Sequence, residues 1–385
     1  MKITKRITNW LETHASAPSY GGWVLTGVSL SYLGAAINTM AGWLYVISGV
    51  CLALLGLSVF LAPRSLKNLI VKRSPIPPIT AGDDLSIELE IYNPTQKPVT
   101  LLQISDTLPF ILGEPNKQPI DIIQPQQHYR WHYYQPTQKR GLYKWQNIEL
   151  ATGAPWGLFW CRRQRECAAI AIVYPTVLPL TNCPLVDEIG QDDSQRNDPR
   201  GKPLQLATSG LVRSLRPYRI GDPTRLIHWR TSARYGELRV RELEIITGGQ
   251  EIIIALDTAA KWEQEQFEQA VIAAASLYFY AQRQELQVQL WTAATGVVKG
   301  DVTILEALAA TNPLEEDNQP PETAPLIWLT QNPLTLSNLP AGSRWVLWQD
   351  PNSSAKMIVN QDYPGIILDS EQELQLQLQK PLASF

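Results

Sequence analysis

No charged residue occurs between Gly21 and Ala62, and that gap constrains this chain more than any other feature of it. A helix lying on a soluble core would show a polar face, and this stretch has none. It holds 42 residues. At 1.5 Å per residue one helix would run about 63 Å, twice the ~30 Å hydrocarbon core of a bilayer. Asn38-Thr39 is the most polar point and Gly42 follows. The spacing therefore predicts a transmembrane helical hairpin over residues 20–62, with helices at Tyr20–Ile37 and Ala41–Ala62. Tyr20 and Trp23 at one interface, and Trp43 and Tyr45 at the other, fit aromatic belts. Lys2, Lys5 and Arg6 precede the hairpin, and Arg64, Lys67, Lys72 and Arg73 follow it, whereas its turn carries no Lys or Arg. That bias places residues 1–19, the soluble body and both termini on the cytoplasmic side. The apolar run is far longer than the h-region of a signal peptide, which argues against cleavage. Gly42, Gly49 and Gly56 share one helical face, as do Gly27 and Gly34, a pattern that lets two helices approach closely.

The chain of 385 residues is long enough for two or three folding units. Residues 63–78, with Pro63, Pro75, Pro77 and Pro78 around a basic stretch, read as a linker. Strict alternation over Leu85–Ile91 then predicts a half-buried strand, and Val99–Ile104, Tyr129–Tyr134, Leu142–Leu150 and Ala168–Tyr174 follow with no helical pattern between them. Such spacing predicts a β-sandwich over residues 79–178. Residues 179–208 are rich in proline and polar residues and read as a loop. From residue 251 onwards, strands that are apolar throughout (Ile252–Leu256, Leu286–Trp291, Leu326–Leu329, Trp345–Trp348) alternate with helical patterns at Phe267–Gln284 and Ile304–Ala310. That grammar predicts an α/β domain over residues 251–385 with a mainly parallel sheet covered on both faces.

Residues 209–250 are the most unusual. Eight arginines fall between Ser209 and Glu242: Arg213, Arg216, Arg219, Arg225, Arg230, Arg234, Arg239 and Arg241. Asp222 as N-cap, Pro223 at the first turn and Gly236 after the last predict a short helix between them. Leu226, Trp229 and Ala233 would form its inward stripe, and Arg230 and Arg234 would lie one turn apart on the neighbouring face.

These residues resemble a known family. Arg216-Pro217-Tyr218, Gly221-Asp222-Pro223, Arg225, Ile227-His228-Trp229, Ser232-Ala233-Arg234 and Val240-Arg241-Glu242 are similar to the signature of the bacterial "domain of unknown function 58" (DUF58) proteins. Arg140-Gly141-Leu142-Tyr143, Trp156-Gly157-Leu158-Phe159 and Val173-Tyr174-Pro175 resemble that family's β-domain landmarks. The resemblance implies a von Willebrand factor A-like α/β domain behind a β-domain, a membrane anchor in the bacterial plasma membrane, association with MoxR-type AAA+ ATPases, and no established enzymatic activity. The chain departs from the pattern at Ala154, where an aspartate is usual. It departs again after the first α/β strand. A metal-dependent adhesion site needs Asp-x-Ser-x-Ser, because Mg²⁺ demands hard oxygen ligands. Here Asp257-Thr258-Ala259-Ala260-Lys261 lacks both serines, so no metal is expected at Asp257.

The leading expectation is a membrane-tethered, non-enzymatic interaction or assembly module, working with a MoxR-type AAA+ ATPase or a membrane complex. Its candidate binding residues are Arg216, Tyr218, Gly221, Asp222, Arg225, Trp229, Arg234 and Glu242. Arginine is enriched at interfaces and forks onto carboxylates. Alternatively Arg216, Arg225 and Arg234 pair with Asp222, Glu242 and Glu244 and lock the segment onto the sheet. Anionic lipid headgroups are a further candidate ligand. Nucleic acid is not expected, since the chain carries a net charge of −3 and few aromatics beside the arginines. A hydrolase would need a base near a nucleophile. The four histidines (His14, His128, His132, His228) and four cysteines (Cys51, Cys161, Cys167, Cys183) show no local motif for one, and no CxxC pair or cofactor motif is present.

Overall fold

The structure is a computed structural model that describes residue 12 and residues 15–189, 211–218, 227–244, 251–315, 319–321, 324–340, 342–348, 363–369 and 372–382. The chain divides into two compact units, residues 1–176 and 177–385.

In the first unit, strand β1 (Ala17–Pro18) leads into helix α1 (Tyr20–Thr39) and helix α2 (Gly42–Lys67). Ser19 caps α1, its Oγ accepting from the Gly22 N–H at 3.1 Å. Met40 turns the chain in the left-handed region, φ 51°. Among the described residues α2 is the one helix long and apolar enough to cross a membrane; α1, with more Gly, Ser and Thr, is not. The two helices pack side by side, but the glycine stripe is not their seam. A Cβ added at Gly27, Gly34, Gly42, Gly49 or Gly56 would meet nothing within 4 Å. The contact is made instead by Ser29 and Ser48, both buried. Ser48 Oγ donates to the Ser29 carbonyl at 2.9 Å, and Ser29 Oγ to the Ser48 carbonyl at 3.2 Å. Hydroxyls with no water nearby seek any acceptor, and a reciprocal pair satisfies both.

Pro63 lies inside α2 rather than after it. A proline has no N–H, so the Val59 carbonyl loses its helical donor; Ser16 Oγ donates to it at 3.2 Å. The last turn of α2 enters the β-domain core through Ala62 and Leu66, and Leu69 follows. At the other end, a side chain at Gly22 would collide with the Leu158 carbonyl, so glycine is required where α1 meets the β-domain.

The stretch read as a linker carries strand β2 (Ile70–Arg73), paired antiparallel with β4 (Asp84–Tyr92), and strand β3 (Ile79–Thr80). Then come β5 (Val99–Asp106), β6 (Asn116–Ile123), β7 (His128–Pro136), β8 (Gly141–Thr152) and β9 (Phe159–Tyr174). One sheet has the order β1-β9-β8-β5-β6, with β3 also on β9; the other is β2-β4-β7. Leu85, Ile87, Leu89 and Ile91 of β4 face residues such as Ile104, Ile148 and Leu150 of the first sheet in one core, a sandwich-like arrangement. Strand β6 escapes a pattern reading because Pro119 and its polar neighbours look like loop; as an edge strand it tolerates the missing donor.

A charged cluster sits inside this core. Arg73, with its side chain 3% exposed, holds Asp106 through Nη1 at 2.9 Å and Nη2 at 3.0 Å. Tyr133 OH donates to Asp106 Oδ2 at 2.6 Å and Trp145 Nε1 to Oδ1 at 3.1 Å. The Arg73 guanidinium also lies 4.9 Å from the Trp145 ring. Burial, and then the Asp106 charge, push the Tyr133 hydroxyl far above the usual tyrosine range. Arg73 is thus a core residue of the sandwich, not a free cation beside the membrane.

In the second unit a short helix α3 (Pro184–Asp187) precedes the antiparallel pair β10 (Leu211–Pro217) and β11 (Arg239–Glu244), with helix α4 (Trp229–Tyr235) between them. Strands β12 (Glu251–Leu256), β13 (Gln287–Thr292), β14 (Gly296–Val298), β15 (Leu326–Thr330), β16 (Arg344–Trp348) and β17 (Gly365–Leu368) build a sheet of order β14-β13-β12-β15-β16-β17. All its pairings are parallel except that of β14 with β13. Helices α5 (Gln264–Arg283), α6 (Asp301–Ala310) and α7 (Leu374–Leu378), with 3₁₀ turns at Phe110–Leu112 and Pro333–Asn338, complete the described elements. One sheet face is buried with Phe267, Val271, Ala274 and Leu277 of α5; the other is packed with Trp291, Trp328, Trp345 and Leu336. Burial on both faces is why these strands are apolar throughout.

Candidate interaction surface

The arginine segment forms a strand–helix–strand unit whose backbone is pinned at each end. Tyr218 N–H donates to the Leu238 carbonyl and His228 N–H to the Arg239 carbonyl, both at 2.8 Å. The buried pair Ile227 and Val240 bridges the two arms. Helix α4 starts later than Asp222 would have it. Its N-cap is His228, whose Nδ1 accepts from the Thr231 N–H at 3.2 Å. That bond occupies the Nδ1 lone pair and ties the ring to the start of the helix. The helix ends at Gly236 in the left-handed region, φ 72°, where the punctuation predicts.

The inward side of α4 is not the predicted stripe. The buried residue is Ser232, whose Oγ accepts from the Arg239 N–H at 2.9 Å and donates to the His228 carbonyl at 3.1 Å. Trp229, expected to pack on the sheet, is 65% exposed, and Ala233 is exposed too. The helix has only seven residues. Trp229 is the first residue after the His228 cap, so no preceding turn of this helix covers it. Tyr235 is 60% exposed and Leu238 46% exposed. Arg230 and Arg234 are exposed, and the Arg239 guanidinium stacks 4.6 Å from the Tyr235 ring. Trp229, Arg230, Arg234, Tyr235 and Leu238 are thus all solvent-exposed on or next to α4.

Of the other sequence candidates, Tyr218 is half-buried beside this face. Arg216 pairs with Val240 and Glu242 with Ser214 in the strand register. Gly221, Asp222 and Arg225 lie outside the described residues, as do Pro223, Leu226 and residues 190–208 of the expected loop.

Asp257 follows β12 directly and is buried. Its Oδ2 accepts from Thr330 Oγ1 at 2.7 Å and its Oδ1 from the Ala260 N–H at 3.3 Å. Thr258 Oγ1 accepts from the Ala293 N–H at 3.0 Å. Lys261 is exposed; the carboxylate caps the next turn instead of meeting it. Among the described residues no group of three acidic, His or Cys side chains could hold a metal. Calorimetric titration of Mg²⁺ or Mn²⁺ into the purified chain is expected to show no saturable heat at millimolar metal. A stoichiometric site lost in Asp257→Ala would reverse this reading. Burial raises the Asp257 carboxyl above its ordinary value of 3.8, against the Thr330 and backbone hydrogen bonds that lower it. The folded chain therefore holds that proton more tightly than the unfolded one. Its contribution to stability is full below the unfolded value and is lost as pH rises through the folded one.

Burial also raises the Cys161 thiol and pushes that of Cys183 up to about 12. Such thiols are poor nucleophiles at neutral pH. Ser86 Oγ lies 2.7 Å from His132 Nε2, with both on the exposed side of the β4–β7 pair. The cross-strand partner of His132 is Glu88, whose Oε2 accepts from Ser74 Oγ at 3.2 Å. The contact joins a hydroxyl to an imidazole, but the carboxylate that could orient the ring is engaged by Ser74.

These features define a protein of two units, rich in sheet, with one helix among the described residues long and apolar enough to span a membrane and with Trp229, Arg230, Arg234 and Tyr235 exposed on α4. Residues 214–304 match the family described as "Protein of unknown function DUF58", which supports the DUF58 family for this chain. No curated protein matches it. Among solved structures, the CARDB domain of the PF1109 protein from Pyrococcus furiosus is 10% identical, at a TM-score of 0.19, over 27% of this chain and 94% of that one. A β-glucosidase from Listeria innocua is 14% identical over 27% of this chain and 16% of the enzyme, TM-score 0.15. A GH20 exo-β-N-acetylglucosaminidase from Vibrio harveyi is 6% identical over 69% of this chain and 31% of that one, TM-score 0.18. Likenesses this distant carry no argument about function.

Proposed function

We propose that this chain is a membrane-tethered, non-enzymatic interaction module that docks a partner on the exposed face of α4. By family resemblance the partner is a MoxR-type AAA+ ATPase or another protein of a membrane complex, and the second unit is a von Willebrand factor A-like domain. The observation that carries the reading is the exposure of Trp229, Tyr235 and Leu238 beside Arg230 and Arg234 on a helix pinned at both ends. Trp, Tyr and Arg are the residue types that dominate binding energy at interfaces, and a pre-ordered backbone reduces the entropy lost on docking. The test is affinity capture of the MoxR-type ATPase from detergent-solubilised membranes, with the wild-type chain and with Arg230→Ala/Arg234→Ala. Undiminished capture by the variant would remove α4 from the reading.

In this reading α2 crosses the plasma membrane and α1, 20 residues long but less apolar, crosses back against it through the Ser29–Ser48 pair, with the soluble units on the cytoplasmic side. Arg64, Lys67 and Lys72 support it, together with the lysines and arginine that precede α1. Reporter fusions after Met40 and after Phe385 are expected to report opposite compartments. Equal compartments would rule out the hairpin.

A further inference from the structure

The end of α2 and β9 form an open pocket of about 260 Å³ lined by Pro63, Arg64, Lys67, Arg163 and Arg165. Four of its five lining residues are cationic and none is acidic. No carboxylate among the described residues pairs with Arg64, Lys67 or Arg165. The described partners of Arg165 carry partial charge. Arg165 Nη2 donates to the Leu66 carbonyl at 2.8 Å and the Lys67 carbonyl at 3.2 Å, the end of the α2 dipole. That dipole is equivalent to about half an elementary charge. Arg163 is held in place by the Glu12 carbonyl at 3.1 Å and the Ala15 carbonyl at 3.3 Å. Arg64 is stacked 4.0 Å from the Phe60 ring.

Topology alone accounts for Arg64 and Lys67, since basic residues flank a cytoplasmic helix end. It does not account for Arg163 and Arg165, which come from a strand about a hundred residues later and converge on the same pocket. Like charges gathered this way create a positive potential that favours an anion between them. Depth identifies the anion's source. The uncharged part of α2, Gly42–Pro63, would run about 33 Å, the thickness of a hydrocarbon core. Arg64 is the first charge after it, at the level of the lipid phosphates.

We infer that Arg64, Lys67, Arg163 and Arg165 bind the phosphate of an anionic lipid headgroup. This inference rests on the membrane-spanning reading of α2. The experiment uses the full chain in detergent, with native mass spectrometry counting retained phosphatidylglycerol against phosphatidylcholine. The wild-type chain is expected to retain phosphatidylglycerol preferentially. Arg64→Gln/Lys67→Gln changes two exposed side chains without touching the Arg163 and Arg165 anchors. It is expected to lower that preference on the order of tenfold, while Lys97→Gln/Lys117→Gln leaves it unchanged. Equal retention by Arg64→Gln/Lys67→Gln overturns the inference. Inorganic phosphate, titrated calorimetrically into the same detergent sample, is expected to give no saturable heat. Saturable phosphate binding without lipid preference would overturn the lipid assignment in favour of a soluble anion. Flotation with phosphatidylcholine vesicles separates the two readings. A chain that fails to float overturns the membrane reading and this inference together, whereas one that floats while the double variant binds lipid normally overturns this inference alone.

Discussion

Asp106→Ala is expected to destabilise the β-rich unit by about 3–5 kcal/mol, the largest single-residue effect in the chain. The substitution removes the acceptor of the Arg73 guanidinium, the Tyr133 hydroxyl and the Trp145 indole at once. An arginine left charged inside an apolar core keeps its desolvation penalty without compensation. At about 2–4 °C per kcal/mol for a unit of this size, the melting transition of the detergent-solubilised chain should fall by about 6–20 °C. Replacing both charges, as Arg73→Met/Asp106→Leu, should recover much of that loss, because a well-packed apolar pair carries no desolvation cost. A melting temperature unchanged in Asp106→Ala would show that the cluster is solvated and not part of the core.

Trp229→Ala/Arg234→Ala is expected to weaken docking of the MoxR-type ATPase by about 30-fold or more, the effect of losing a hot spot of at least ~2 kcal/mol. Stability should change by no more than about 0.5 kcal/mol, as for surface positions generally. The two readouts together discriminate. If Trp229 packed on the sheet, alanine would cost about 3–5 kcal/mol and the melting temperature would drop. Its exposure predicts the opposite pattern: binding lost and melting retained. Normal binding in a normally melting variant would take the interaction face away from α4.

The difference between these two residues shows what linear pattern contains. Strand periodicity was readable from Leu85 to Ile91 because one face of β4 is buried along its whole length, and burial imposes a period of two on side-chain chemistry. The apolar strands β12, β13, β15 and β16 were readable for the complementary reason, since both their faces are covered. The uncharged run from Gly21 to Ala62, the Gly236 helix stop and the missing serines after Asp257 were equally local matters. Each follows from a backbone or solvation requirement that acts on neighbours in sequence.

Pairings between distant residues were not readable. Arg73 has the sequence context of a membrane-flanking cation, and only the partner 33 positions away, Asp106, makes it a core residue. Strand β9 was cut short because its run of arginines looks unlike a strand. Those arginines are tolerated because α2 and the N-terminal segment present carbonyls to them. The helix seam fell to Ser29 and Ser48 rather than to the glycines, since hydroxyls without water must find acceptors while glycine only permits proximity. Trp229 is the first residue of α4 because His228, not Asp222, is the cap, so it lies at the open end of the helix and not in the middle of a buried stripe. The sequence by itself determined the kinds of element and their solvent environments. Which residue meets which across the fold was decided by tertiary structure, because the free energy of a buried charge or hydroxyl depends on its partner and not on its neighbours in the chain.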